Sequence, residues 1–168
     1  MNEKAFQTTC RSAFAQIASR FNCKIAKRKT SSSIYGCDLM NDTTAIRITY
    51  EQREYHVFVQ ICRLVNHTIV LNPGEKRPES ELHCFDVDDL LMLRKPGYRV
   101  FPFDLSDWSN YDPQDAIRSY ANDLETYGID VLTGNFAVFE ELDRIVKKRA
   151  RQAAYLKWGE RAKEFGWD

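Results

Sequence analysis

The stretch Thr43 to Leu64, TTAIRITYEQREYHVFVQICRL, decides the fold. Ile46, Ile48 and Tyr50 alternate with Arg47 and Thr49, and past a tight turn near Gln52-Arg53 the same pattern resumes in Tyr55, Val57, Val59 and Ile61. Side chains of a strand point alternately to opposite faces of a sheet, so the two runs predict an antiparallel hairpin that is apolar on one side. Its outward side carries Arg47, His56, Phe58 and Gln60. Upstream, Cys23 to Lys27 and Ile34 to Met40 flank the polar turn Lys29 to Ser33 and extend the hairpin to a four-stranded meander. Thr68 to Leu71 offers a fifth strand.

An apolar sheet face needs cover, and helical periodicity on both sides of the meander supplies it. Phe6, Cys10, Ala13, Phe14, Ile17 and Phe21 recur every three or four residues and predict an amphipathic helix from about residue 3 to 21. After the sheet, Asn72-Pro73-Gly74 opens a polar loop that runs to Glu81. Asp86 is placed to cap a short helix over Val87 to Leu93, which Lys95-Pro96-Gly97 stops, and residues 98 to 111 read as irregular. Asp112-Pro113-Gln114-Asp115 then starts a helix with a capping carboxylate, proline at its first position and a second carboxylate at its positive end. Its buried face is Ile117, Tyr120, Ala121, Leu124 and Tyr127, and Gly128 ends it. Asn135 opens the longest helix, Phe136 to Phe165, with Phe136, Phe139, Leu142, Val146, Ala150, Ala153 and Leu156 inside and Gly159 as a weak point. The class is α+β: an N-terminal helix, an antiparallel four- to five-stranded meander, and C-terminal helices packed on the sheet. At 168 residues, 43% of them hydrophobic, one domain is expected, with helix and sheet in 1–78 and a helical half in 79–168.

The zero net charge conceals a strong segregation. Residues 1–78 carry 12 Lys/Arg against 6 Asp/Glu, residues 79–143 carry 4 against 15, and residues 144–168 carry 8 against 3. Such blocks either steer a charged partner or fold back as ion pairs. The middle block sets Asp104, Asp107, Asp112 and Asp115 beside Trp108 and Tyr111, the composition that an inhibitor of a basic protein presents. The last block gathers Arg144, Lys147, Lys148, Arg149 and Arg151 on a helix with Tyr155, Trp158 and Trp167, a composition that suits nucleic acid. Glu140 with Arg144 and Asp143 with Lys147 stand four residues apart in the favourable order and self-pair part of that face.

Catalytic and ligand motifs are wanting. The nearest metal-like cluster, His83-Cys84 with Asp86, Asp88 and Asp89, reads better as a helix cap with first-turn carboxylates. No Gly-x-Ser-x-Gly elbow is present, no histidine has a local partner, and the seven glycines are too scattered to cradle phosphate. No metal and no cofactor are expected, and an enzyme would need a site assembled from distant residues. Cys10, Cys23, Cys37, Cys62 and Cys84, an odd number at irregular spacings, predict free and mostly buried thiols. With no apolar run of membrane-spanning length and a polar start at Met1 to Arg11, the expected location is the cytosol, away from membranes.

The segment Tyr120 to Phe139, YANDLETYGIDVLTGNFAVF, resembles a pattern in small, mostly uncharacterised bacterial proteins, in which a helix ends in Tyr-Gly and an Asp-x-Leu-x-Gly-Asp-Phe turn leads into the last helix. Tyr127, Gly128, Asp130, Leu132, Gly134 and Phe136 fit it, and Asn135 stands in place of the second Asp. In its order of helix, meander and helices the chain is also similar to immunity proteins that protect bacteria from contact-delivered toxins. That resemblance implies a cytosolic non-enzyme that masks one cognate toxin, often a nuclease, and assigns no residue roles. Two partner surfaces are therefore expected in competition: Asp104, Asp107, Trp108, Tyr111, Asp112 and Asp115 for a basic toxin or nuclease, or Arg144, Lys147, Lys148 and Arg151 for nucleic acid.

Overall fold

A computed structural model describes residues 1–98 and 111–167. Two helices, α1 (Glu3–Ala13) and α2 (Ala15–Arg20), replace the single helix expected over 3 to 21, because the backbone at Phe14 leaves helical geometry. The apolar stripe survives the break, with Phe6, Cys10, Phe14 and Ile17 fully buried. Asn2 caps α1 by accepting from the Ala5 amide at 2.9 Å.

The meander follows in antiparallel order as β1 (Lys24–Arg28), β2 (Ile34–Met40), β3 (Thr44–Glu51) and β4 (His56–Val65). Asn66 and His67, both at positive φ, turn β4 into the two-residue strand β5 (Thr68–Ile69). Ile46, Ile48, Tyr50, Val57, Val59 and Ile61 all face the core, as their alternation predicts. Tyr55 does not join them: at φ 53° it belongs to the turn and is 44% exposed.

A sixth strand, β6 (Cys84–Asp86), lies in a region read as loop and cap, and pairs with the far edge of β4. Sheet and helical halves therefore do not part at residue 78. Asn72 holds the other edge of β6 as a missing strand would, accepting from the His83 and Cys84 amides at 2.7 and 3.0 Å and donating to the Cys84 carbonyl. This pairing also corrects the expectation for the cysteines. Arg63 N donates to His83 O at 2.8 Å, so Cys62 and Cys84 form the adjacent non-hydrogen-bonded pair, where side chains approach most closely, and they are joined as a disulfide. Cys10, Cys23 and Cys37 remain free.

From β6 the chain enters α3 (Val87–Arg94), then α4 (Pro113–Tyr127), α5 (Ile129–Leu132), α6 (Phe139–Trp158) and a closing 3-10 helix (Gly159–Phe165). Asp112 caps α4 as predicted, accepting from Gln114 N at 2.8 Å. Ile117, Ala121 and Leu124 join α1 and the inner sheet face in one core. The predicted last helix is shorter at both ends and breaks at Gly159, which sits at φ 58°. Its inner stripe holds through Phe139, Leu142 and Val146 and then fails: Ala153 is exposed, and Leu156 is 90% exposed. No helix among the described residues is long and apolar enough to cross a membrane.

The turn at Gly128 to Phe136 is fastened to the start of β3. Thr44 Oγ1 donates to the Val131 carbonyl at 2.8 Å, and Asn41 Nδ2 donates to the Leu132 carbonyl at 3.1 Å. Gly134, at φ 87°, lies so close that a Cβ there would stand 2.9 Å from Thr43 Oγ1. Gly134→Ala is expected to lower stability by about 2 kcal/mol, since it adds both left-handed strain and a clash; a urea midpoint equal to that of the parent would refute the fastening. Reduction of Cys62–Cys84 reopens a loop of 22 residues and is expected to cost about 3 kcal/mol, read as a lower urea midpoint in the presence of reductant.

Candidate functional site

The outward face of the meander is polar in one row and apolar in the next. Ala45, Cys62 and Cys84 form a small second core there. Directly beside it, the register aligns Asp38, Arg47, Gln60 and Asp86 across β2, β3, β4 and β6. Arg28 reaches this row from β1 by passing over Gly36, where a Cβ would come within 2.6 Å of its Nε. Its guanidinium donates to Asp38 at 2.8 Å, to Thr49 Oγ1 at 2.5 Å and to the Ile48 carbonyl at 3.2 Å. Burial pushes the Asp38 carboxyl up from its ordinary value, and the arginines on either side pull it back.

Arg47 is the exception in this row. Its side chain is only 16% exposed, yet it makes no hydrogen bond among the described residues, and Nε, wholly buried, finds its nearest carboxylate oxygen, Asp38 Oδ1, at 3.7 Å. The same Oδ1 already accepts from Arg28. Arg47 lines a cavity of roughly 300 Å³ at the β6 edge, where the 71–76 loop, α3 and α6 meet the sheet.

Five carboxylates of the acidic block, Asp86, Asp88, Asp89, Asp123 and Asp130, are engaged within the fold. Asp86, expected to cap α3, instead accepts from Gln60 at 3.0 Å. Asp88 accepts from the hydroxyls of Tyr98 and Tyr120. Asp123 binds Lys95 at 2.8 Å, and Asp130 takes both Nη atoms of Arg94 at 2.6 Å, which holds its carboxyl below the usual range. Asp89 on α3 pairs with Arg149 on α6, so one member of the basic run is committed to the acidic block. Cys84 is in the disulfide and Asp86, Asp88 and Asp89 each have these partners, so the cluster around His83 takes its order from structure.

Among the residues assigned to a basic partner, Asp112 and Asp115 are exposed at the start of α4, and Asp115 pairs with Arg118 at 2.6 Å. Tyr111 is half-buried rather than exposed. Its hydroxyl accepts from Val57 N at 3.1 Å, its ring meets Tyr55 and His56, and burial pushes its hydroxyl up to about 12. Asp104, Asp107 and Trp108 lie outside the described residues. On α6, Arg144 pairs with Glu140 at 3.7 Å and Lys147 with Asp143 at 2.9 Å, as their spacing predicts. Lys148 and Arg151 are exposed, with Arg151 over the Tyr155 ring at 5.7 Å.

Two groups escaped the sequence reading. Phe58 and Tyr55 form an exposed aromatic pair around His56 and Tyr111, which depends on the return of Tyr111 to the sheet. Lys76 and Leu71 join Arg47 only because β6 folds the intervening loop back. No family model matches the chain, and no curated protein or solved structure matches it.

Asp89 and Arg149 differ in exposure, 3% against 54%, so their removal is not equivalent. Arg149→Met strands a buried carboxylate and is expected to cost about 3 kcal/mol near pH 7, whereas Asp89→Asn leaves a hydratable guanidinium and costs about 1 kcal/mol. Burial already raises the Asp89 carboxyl above its unfolded value. A raised folded-state pKa adds stability at low pH that is lost as pH rises, so the Arg149→Met deficit is smallest near pH 4 and grows toward neutrality. Urea unfolding of both variants at the two pH values measures this; equal deficits would refute it.

Proposed function

We propose that the protein is a non-enzymatic protein-binding module of the bacterial immunity or inhibitor kind, which occludes a basic toxin or nuclease through the surface around Asp112 and Asp115. What supports this reading is the aromatic group beside those carboxylates. Tyr55 and Phe58 are 44% and 38% exposed, and their rings, with His56 and Tyr111, form one continuous patch that ends where Asp112 begins α4. Rigid aromatic anchors rimmed by carboxylates suit a cationic partner, the rings supplying area and the charges supplying speed and orientation. Asp104, Asp107 and Trp108, which lead into Tyr111 along the chain, belong to the same proposal.

Occlusion needs no turnover, and Asp88, Asp89, Asp123 and Asp130, outside this surface, are occupied with tyrosines and cations of the fold. The cytosol is the location that fits an immunity role; the Cys62–Cys84 bond is of the type that persists in oxidising surroundings.

A second reading has its own support. Beyond Val146, α6 carries exposed Lys148, Arg151 and Lys157 next to Trp158, which is 43% exposed and lies under Lys157 Nζ at 4.6 Å. Cations beside a stacking ring suit single-stranded nucleic acid.

The product of the gene immediately upstream is the partner to test, by calorimetric titration. Asp112→Lys with Asp115→Lys is expected to weaken binding at least tenfold, about 1.4 kcal/mol, and added salt to slow association. Unchanged affinity would remove the acidic surface from the mechanism. Salt-sensitive retention on a single-stranded DNA column that Lys148→Glu with Arg151→Glu abolishes would transfer the function to α6.

A further inference from the structure

The cavity beside Arg47 has an unbalanced charge inventory. Asp86 and Asp89, the carboxylates in its wall, are taken by Gln60 and Arg149. Of the cations in its wall, Arg47 makes no hydrogen bond and has only a long ion pair to Asp38 at 3.7 Å, and Lys76 has neither hydrogen bond nor ion pair among the described residues. A guanidinium carries five donors in a fixed fork, and burying it without acceptors is costly. The cost is tolerated where a partner arrives from outside. The nearest internal carboxylate cannot take that place, since Asp38 is held 2.8 Å from Arg28 and 3.7 Å from Arg47 Nε.

We propose that this cavity is a binding site for a small organic carboxylate, whose anionic head is received by Arg47 and Lys76 and whose short apolar body lies against Leu71, Phe85 and Val146. A planar guanidinium fork matches a carboxylate with two parallel hydrogen bonds. Phosphate is the poorer fit, because Gly74 is the one glycine among the lining residues and they offer no glycine-rich phosphate-cradling loop. At about 300 Å³ the space is at the lower end of small-molecule sites, which limits the ligand to a few carbons beyond its head group. The site involves none of the residues assigned to the toxin-binding surface, so either reading can fail without the other.

The test is a thermal-shift and calorimetric screen of the intact protein against free amino acids, 2-oxo acids and short-chain monocarboxylates, with sulfate and inorganic phosphate alongside. At least one carboxylate is expected to raise the unfolding temperature saturably. Arg47→Gln is expected to weaken its binding at least tenfold, and Lys76→Gln by a smaller factor. Arg47→Lys, which keeps the charge and loses the fork, falls between parent and Arg47→Gln and serves as readout if Arg47→Gln does not fold. The proposal is overturned if no carboxylate in the screen shifts the parent, if sulfate or phosphate shifts it equally, or if the Arg47 variants bind as the parent does.

Discussion

Period-two alternation along β3 and β4 is the constraint from which the rest follows. It commits Ile46, Ile48, Tyr50, Val57, Val59 and Ile61 to one face, and that face has to be sealed from water by α1 and α4. A shift of one residue in register would turn this apolar set outward and bury Arg47 and Gln60 in its place, so the pairing of β3 with β4 is strongly specified. The opposite face is then obliged to receive the polar residues of every strand. A charged row crosses the sheet for that reason, and Gly36 leaves the lane through which Arg28 reaches it.

Segregation of charge along the chain is partly undone in space. The acidic block draws cations toward itself: Arg94 and Lys95 from its own span, and Arg149 from the C-terminal run. Short-range pairing lowers the energy of half-buried carboxylates more than a broad electrostatic face would, because the effective dielectric is low there and hydrogen bonds accompany the charge. The charges assigned to partners are local groups: Asp112 and Asp115 at one helix end, Lys148 and Arg151 on another helix, and Arg47 with Lys76 in the cavity.

Much of the architecture was legible in residue order. The strands of the meander, the cap and stop of α4 and the i,i+4 pairs of α6 all rest on interactions between near neighbours, which is the range over which spacing is informative. β6 was missed because three residues carry too little periodicity to register, and because Asp86 has the identity of a helix cap while its carboxylate turns to Gln60. With β6 went the disulfide, since Cys62 and Cys84 become neighbours only through that pairing. The outer half of α6 keeps an apolar period, but it packs Ala150, Ala154 and Tyr155 on Ala162 and Trp167 at the end of the chain and leaves Leu156 in water.

From its sequence alone this chain is determined to be an α+β protein with a two-faced meander, because alternation and helix punctuation act within a few residues. Tertiary structure alone decides which charges cancel, where Tyr111 returns to the sheet and that the buried Nε of Arg47 has no hydrogen bond. These depend on residues brought together across the sheet and its edges, where the distance between side chains is set by packing and no longer by position along the chain.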